Sequence, residues 1–264
     1  MSDSVPFYHV DAFAEQPFEG NPAAVCLVNR WWSQSRLTAI AAEFNLSETA
    51  FVKPEADHWF IRWFTPLCEV DLCGHATLAA AAVLWFERGV AGTTLRFISR
   101  SGVLEVMRQA DRRLELDFPV RPAQRLVGPP DAVAEALGKA PSVILGGGED
   151  LLCVFGREKT IRALNPDFPR LAALKTRGVI VTAPGVDCDF VSRFFAPRVG
   201  VNEDPVTGSS HTTLAPYWAE RLGRNRLTAH QVSKRGGRLQ VELRGERVGI
   251  SGHAVIVAAG VLRG

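Results

Sequence analysis

The sequence is short of the features that mark most ligand classes. It contains no run of about 18 uncharged apolar residues, so no membrane span is expected. Neither sign of charge dominates: 30 Lys and Arg stand against 28 Asp and Glu, a net +2. That balance leaves no basic stripe and argues against nucleic acid as a partner. The opening MSDSVPFYHVDAF has no charged segment followed by an apolar run, so no secretory signal is expected. The five cysteines (Cys26, Cys68, Cys73, Cys153, Cys188) form no C-x-x-C pair and no metal spacing. Their odd number and scatter fit free thiols in a reducing cytoplasm. The Rossmann glycine pattern, the P-loop and the G-x-S-x-G elbow are all missing. His9, His58, His230 and His253 stand singly, which gives a metal site little support.

What is present is enough apolar material for a large core: 264 residues, 47% of them hydrophobic. That length suits one large domain or two small ones. Strand-like runs occupy 7–13, 23–28, 49–52 and 58–65; in the last, Trp59, Ile61 and Trp63 alternate onto one face. Residues 33–45 read as an amphipathic helix through Leu37, Ile40, Ala41 and Phe44, with Trp31 and Trp32 ahead of it as a staple. Residues 75–88 form a helix that is apolar nearly all round, which predicts burial inside a wrapped sheet. Strands follow at 94–99, 102–108 and 112–118. A Pro-rich stretch, Phe118 to Gln124 and then Gly128-Pro-Pro, reads as a linker. Beyond it come a short helix after Pro130, strands near 151–155, 178–182 and 189–195, a helix at 210–222, and strands at 228–233, 238–243 and 246–258. Each half has several strands and one markedly buried helix. This predicts an α+β chain of two pseudo-symmetric domains, 1–118 and 119–264, with the last strand able to return to the first.

The duplication shows best in two segments. EVDLCGHAT (Glu69 to Thr77) and EDPVTGSSH (Glu203 to His211) place Glu69 and Glu203 the same distance ahead of Gly74 and Gly208. Both lead into a predicted helix, whose start offers unpaired N–H groups and the positive end of a dipole. Two such starts aimed at one cleft would trap a carboxylate. Glu48, in NLSETAFV, is either an exposed turn residue or a carboxylate desolvated by apolar neighbours and raised toward a useful general base. His75, in a first helical turn, is either a core histidine or a neutral imidazole that donates to a developing oxyanion. Asp204 is a turn residue, an N-cap, an acid that pairs with His75 and orients it, or a member of the proton relay itself. Gly208 and Ser209 fit an anion-binding turn. Asn21 either shapes the Gly20-Asn21-Pro22 turn or presents its amide to substrate. Cys73 sits at a helix start, where a thiol is activated, while the corresponding position in the second half is Thr207. Trp63, Phe64, Phe195 and Tyr217 are candidates for either a pocket wall or the core.

Taken together, VDAFAEQPFEGNPAAV (10–25), AAEFNLSETAFV (41–52), RWFTPLCEVDLCGHATLAAA (62–81) and RFFAPRVGVNEDPVTGSSHTTLAPYW (193–218) resemble the phenazine-biosynthesis isomerase-like (PhzF-like) family. RGGRLQVEL and RVGISGHAVIV near the end are similar too. The resemblance implies a diaminopimelate epimerase-like fold, with two domains that each wrap a sheet around a central helix. It implies catalytic roles for Glu48, His75 and Asp204, and substrate contacts from Asn21, Ser47, Gly74, Gly208 and Ser209. It also implies a homodimer that uses neither metal nor organic cofactor. Its reference reaction isomerises trans-2,3-dihydro-3-hydroxyanthranilate. The related epimerases use a cysteine at each central-helix start; with Thr207 at the second, a paired-thiol mechanism is not expected. The expectation is a cytoplasmic, cofactor-independent isomerase of a small carboxylate, with Glu48 as a single-carboxylate proton shuttle. The alternatives are an amino-acid epimerase or racemase with Cys73 as one base, and a non-catalytic binder of small acids.

Overall fold

A computed structural model describes residues 4–125 and 130–263. Residues 128–129 of the expected Gly128-Pro-Pro linker lie outside the described residues. The chain divides into two compact units, Met1–Asp117 with Ser251–Gly264, and Phe118–Ile250.

In the first unit the elements are β1 (Val5–Ala12), β2 (Asn21–Leu27), α1 (Gln34–Phe44), β3 (Glu48–Glu55), β4 (His58–Phe64), the two-residue β5 (Glu69–Val70), α2 (Gly74–Ala82), β6 (Thr94–Ser99), β7 (Gly102–Arg108) and β8 (Leu114–Pro119). Strand β2 pairs parallel with β3 across α1, and β4 pairs parallel with β6 across α2. The intervening β1–β2, β3–β4 and β6–β7 pairs are antiparallel. Helix α1 starts at Ser33, whose hydroxyl accepts the Arg36 N–H, and ends at Asn45 in the left-handed conformation. It buries Leu37 and Ala41 against Cys26, Phe51 and Phe64, and Trp31 and Trp32 pack on that cluster as the staple reading expects. Helix α2 takes the opposite side of the sheet. Leu78, the four alanines after it and Val83 are fully buried there, and the helix touches strands β1, β2, β3 and β7. The expected helix over 75–88 is in fact α-helical only to Ala82. Val83–Glu87 widen into a π turn, with the Arg88 N–H donating to Val83 O. The change falls where small alanines give way to Val-Leu-Trp-Phe, bulk that a wider turn accommodates.

The second unit contains β9 (Gln124–Arg125), α3 (Pro130–Leu137), β10 (Val143–Gly147), β11 (Asp150–Val154), α4 (Glu158–Ala163), α5 (Phe168–Ala173), β12 (Gly178–Pro184), β13 (Phe190–Ala196), β14 (Val201–Asp204), α6 (His211–Leu222), β15 (Arg226–Gln231), β16 (Gly237–Arg244) and β17 (Arg247–Gly252). Its pairings repeat those of the first. Strands β11 and β12 are parallel across α4 and α5, β12–β13 is antiparallel, β13–β15 is parallel across α6, and β15–β16 is antiparallel. Helices α3, α4 and α5 close one core through Leu137, Ile161 and Leu171. On α6, Trp218 stacks on Phe190 at 5.7 Å and its Nε1–H donates to Thr182. Pro216 lies inside α6 and cannot donate to Thr212 O; the Arg121 N–H fills that acceptor instead. The final strand β18 (Ala254–Leu262) belongs to the first unit, antiparallel to β1 with a bulge at His9/Val10. The fold is thus α+β, two similarly built units each with a sheet around one central helix. Among the described residues no helix is long and apolar enough to cross a membrane.

The Gly20 turn feeds β2 and can be tested directly. Gly20 has φ +66, and a Cβ there would lie 2.2 Å from Ala12 O. Gly20→Ala should lower stability by about 2–4 kcal/mol, read as a lower urea midpoint at unchanged slope. An unchanged midpoint would show that the turn relaxes without cost.

Candidate active site

Both units bring the chain from a central strand into a buried helix, and both pin the turn with an arginine. In the first, Arg62 on β4 makes a two-pronged contact with Glu69, at 2.7 and 2.8 Å. Arg100 adds a contact to Glu69 at 2.8 Å. The Arg62 guanidinium holds the Glu69 carboxyl below its ordinary range. In the second, Arg193 on β13 makes the same fork to Glu203, at 2.7 and 3.0 Å. Its remaining nitrogen donates to Ile161 O and Leu164 O at the end of α4. Each arginine lies against the phenylalanine two residues on, Phe64 or Phe195. The two acids aligned in the sequence are therefore structural clamps, and each sets the position of the helix start that follows.

At the first helix start, Glu48 opens β3 and His75 lies one residue into α2. Glu48 Oε2 is 3.3 Å from His75 Nε2, with the side chains 21% and 8% exposed. Burial raises the Glu48 pKa, while the neighbouring Ser47 and Cys73 side chains oppose the rise. On the other side of the ring, Nδ1 faces Asn21 Nδ2 at 3.3 Å and Cys73 Sγ at 3.5 Å. Ser47 donates to Asn21 Oδ1 at 3.2 Å. The structure thus brings Glu48, His75, Asn21, Ser47 and Cys73 together, next to Gly74 at the first residue of α2. Asn21 is fully buried, and each end of its amide has a partner within the cluster. Cys73 precedes α2 in extended conformation and makes no side-chain cap there.

Glu48, Cys73 and His75 also form a group of metal-type donors, all within 4.8 Å of one another. A metal shared by all three needs one ring nitrogen that faces both other ligands. Here Nε2 lies 3.3 Å from Glu48 and Nδ1 3.5 Å from Cys73, so as they stand the two partners approach different ring nitrogens.

At the second helix start, Thr207 to Ser210 form a turn, and α6 begins at His211, within one residue of the expected start. The Asp204 carboxylate accepts the Thr207 hydroxyl at 2.5 Å. Gln231 braces the same turn, donating to Asp204 O and accepting the Thr207 N–H. Ser209 Oγ lies 3.4 Å from an Arg177 guanidinium that is paired with the buried Asp150. Gly208 is buried and its carbonyl accepts the His211 N–H. Arg177 and Gln231 carried no signal in the sequence, since they lie far from the turn they hold and belong to no local pattern. Trp63, Phe64, Phe195 and Tyr217, candidates for a pocket wall, are all core residues.

The fold is the diaminopimelate epimerase-like one. A predicted epimerase of Pseudomonas aeruginosa shares it at a TM-score of 0.79 and 23% identity, over 98% of this chain and 99% of that one. Residues 10–260 match the family model for phenazine biosynthesis-like proteins, and the chain belongs to that family. An uncharacterized isomerase of Pseudomonas aeruginosa is 55% identical over 97% of this chain and 98% of its own. A PhzF-family crystal structure from Enterococcus faecalis superposes at a TM-score of 0.95 with 47% identity, covering 99% of both chains.

His211, fully buried at the start of α6, gives the site a pH signature. Burial pushes its pKa from 6.5 down to about 4, against the opposing effect of its hydrogen bond to Thr207 O. Between those values the unfolded chain holds a proton that the folded one does not. Its stability contribution is therefore complete above pH 6.5 and falls toward pH 4, by about 3 kcal/mol in all. Urea unfolding across that range should show this slope in the wild type and lose it in His211→Gln; equal slopes would contradict the assignment.

Proposed function

We propose that the protein is a cofactor-independent isomerase of a small carboxylate, in which Glu48 removes a proton and returns it to another carbon on the same face. The observation that supports this reading best is Glu48 itself, a mostly buried carboxylate whose pKa is raised by desolvation and which lies 3.3 Å from an imidazole nitrogen. A base whose pKa moves toward the working pH accepts and returns a proton with less loss in either direction. His75 stabilises charge beside it. The family resemblance assigns Asp204 a further acid–base role and substrate contacts to Asn21, Ser47, Gly74, Gly208 and Ser209, and backbone N–H groups at helix starts suit a carboxylate.

A second reading is favoured by one contact. The Cys73 thiol hydrogen-bonds Glu48 and lies 3.5 Å from His75, so it stands where an epimerase would need a second base. Thr207, on the other helix start, offers no matching thiol.

One assay separates the two. With trans-2,3-dihydro-3-hydroxyanthranilate in D₂O followed by NMR, Glu48→Gln should lose activity by at least about 10²-fold, and Cys73→Ser should stay within roughly threefold of wild type. Full turnover by Glu48→Gln rules out the shuttle, and a severe loss in Cys73→Ser moves the protein to the epimerase reading.

A further inference from the structure

We propose that Asn21 is a positioning residue that fixes His75 as its Nε2–H tautomer and so directs the single ring proton at Glu48. The argument begins in the backbone. Gly20, with φ +66 and no room for a Cβ, delivers Asn21 to the first position of β2, in register with Ala12. There the side chain is fully buried and lies between two polar neighbours. The Ser47 hydroxyl donates to its carbonyl oxygen at 3.2 Å, which turns the amide nitrogen toward His75 Nδ1 at 3.3 Å. An amide NH₂ only donates, so the ring nitrogen that faces it must be the bare one. A neutral ring then carries its proton on Nε2, the nitrogen on the Glu48 side, 3.3 Å from Glu48 Oε2 though not aligned as a hydrogen bond.

The reverse orientation of the amide is less compatible with a proton carrier. It would set a carbonyl against Nδ1, protonate that nitrogen, and turn the Nε2 lone pair to Glu48. Such a lone pair is tolerated only while Glu48 is protonated. The Nε2–H form suits both states of the shuttle, because an N–H in that place can donate to the carboxylate and equally to the carbonyl oxygen of the acid after a small reorientation of the ring or the carboxyl. The third neighbour of Nδ1, the Cys73 thiol, has its own acceptor in Glu48 and does not require a ring proton. The tautomer itself stands independently of the reaction; its catalytic value rests on Glu48 being the proton carrier.

The test uses the full chain labelled with ¹⁵N-histidine, with long-range ¹H–¹⁵N spectra at neutral pH and His75 assigned by its loss in His75→Gln. The wild type should show His75 protonated at Nε2 and bare at Nδ1. Asn21→Asp replaces the donor by a carboxylate and should place a proton on Nδ1, leaving the other five histidines unchanged. A wild-type ring protonated at Nδ1, or at both nitrogens, overturns the proposal, as does an Asn21→Asp spectrum identical to wild type. Should Asn21→Asp fail to fold, the wild-type spectrum decides alone. In turnover, Asn21→Asp should lower kcat by roughly tenfold or more at little-changed KM, and an unchanged kcat removes its catalytic role. Retained activity in Glu48→Gln beside an Nε2–H spectrum would refute the shuttle and leave the tautomer standing.

Discussion

The candidate site depends on keeping a carboxylate against an imidazole where water reaches only a small part of it. A raised Glu48 pKa means that the folded protein resists ionising this group more than the unfolded chain does. The group therefore favours folding below its unfolded pKa and ceases to as pH rises through the folded one. The fold carries this cost through groups that touch the carboxyl directly. Ser47 and Cys73 oppose the effect of burial and stop the pKa from rising as far as burial alone would take it, and His75 Nε2 lies 3.3 Å from the carboxyl. A group shielded from water but still contacted by donors is poised between its two protonation states, as a proton carrier must be.

The second constraint is geometric and is applied twice. A chain that leaves a strand and enters a helix inside its own core has little freedom in the turn between them. Arg62 with Glu69, and Arg193 with Glu203, fix that turn by forked contacts, while each guanidinium covers a core phenylalanine. The parallel pairs across the central helices, β4–β6 and β13–β15, repeat around these clamps. The duplication is thus preserved most clearly in what holds the helix starts. The residues at those starts have diverged, with Cys73 and His75 in one unit and Thr207 and Ser209 in the other.

The legible parts of the sequence were those in which a single segment carries its own explanation. Helix α2 could be read as buried because it is apolar all round. Most strands were placed to within a few residues because their runs are short, apolar and bounded by turns. Strand β10 escaped notice because its second half is glycine and it shows no alternation. Helices α4 and α5 escaped because six residues show no helical period, and Asn165-Pro166 lies between them. Helix α6 starts within one residue of the expected 210, after a turn over Gly208 to Ser210. At the site, Glu48 and His75 could be nominated from local context. That Asn21 spends its amide on Ser47 and His75, that Arg177 reaches Ser209, and that Gln231 braces Asp204 are long-range contacts, and a linear pattern holds no trace of them. Phe64 and Phe195 illustrate the same limit: an aromatic beside a motif looks the same in sequence whether it faces a ligand or a clamp.

The most direct measurement is the titration of Glu48 itself, by ¹³C NMR of protein labelled at the glutamate carboxyl carbon, with the resonance assigned by its absence in Glu48→Gln. This needs no knowledge of the substrate. The account predicts a midpoint above the ordinary glutamate value of 4.5, with the carboxyl shift sensed at the His75 ring. A midpoint at or below that value would mean that the carboxylate is an ordinary paired anion, and would contradict the claim that burial makes it a proton carrier.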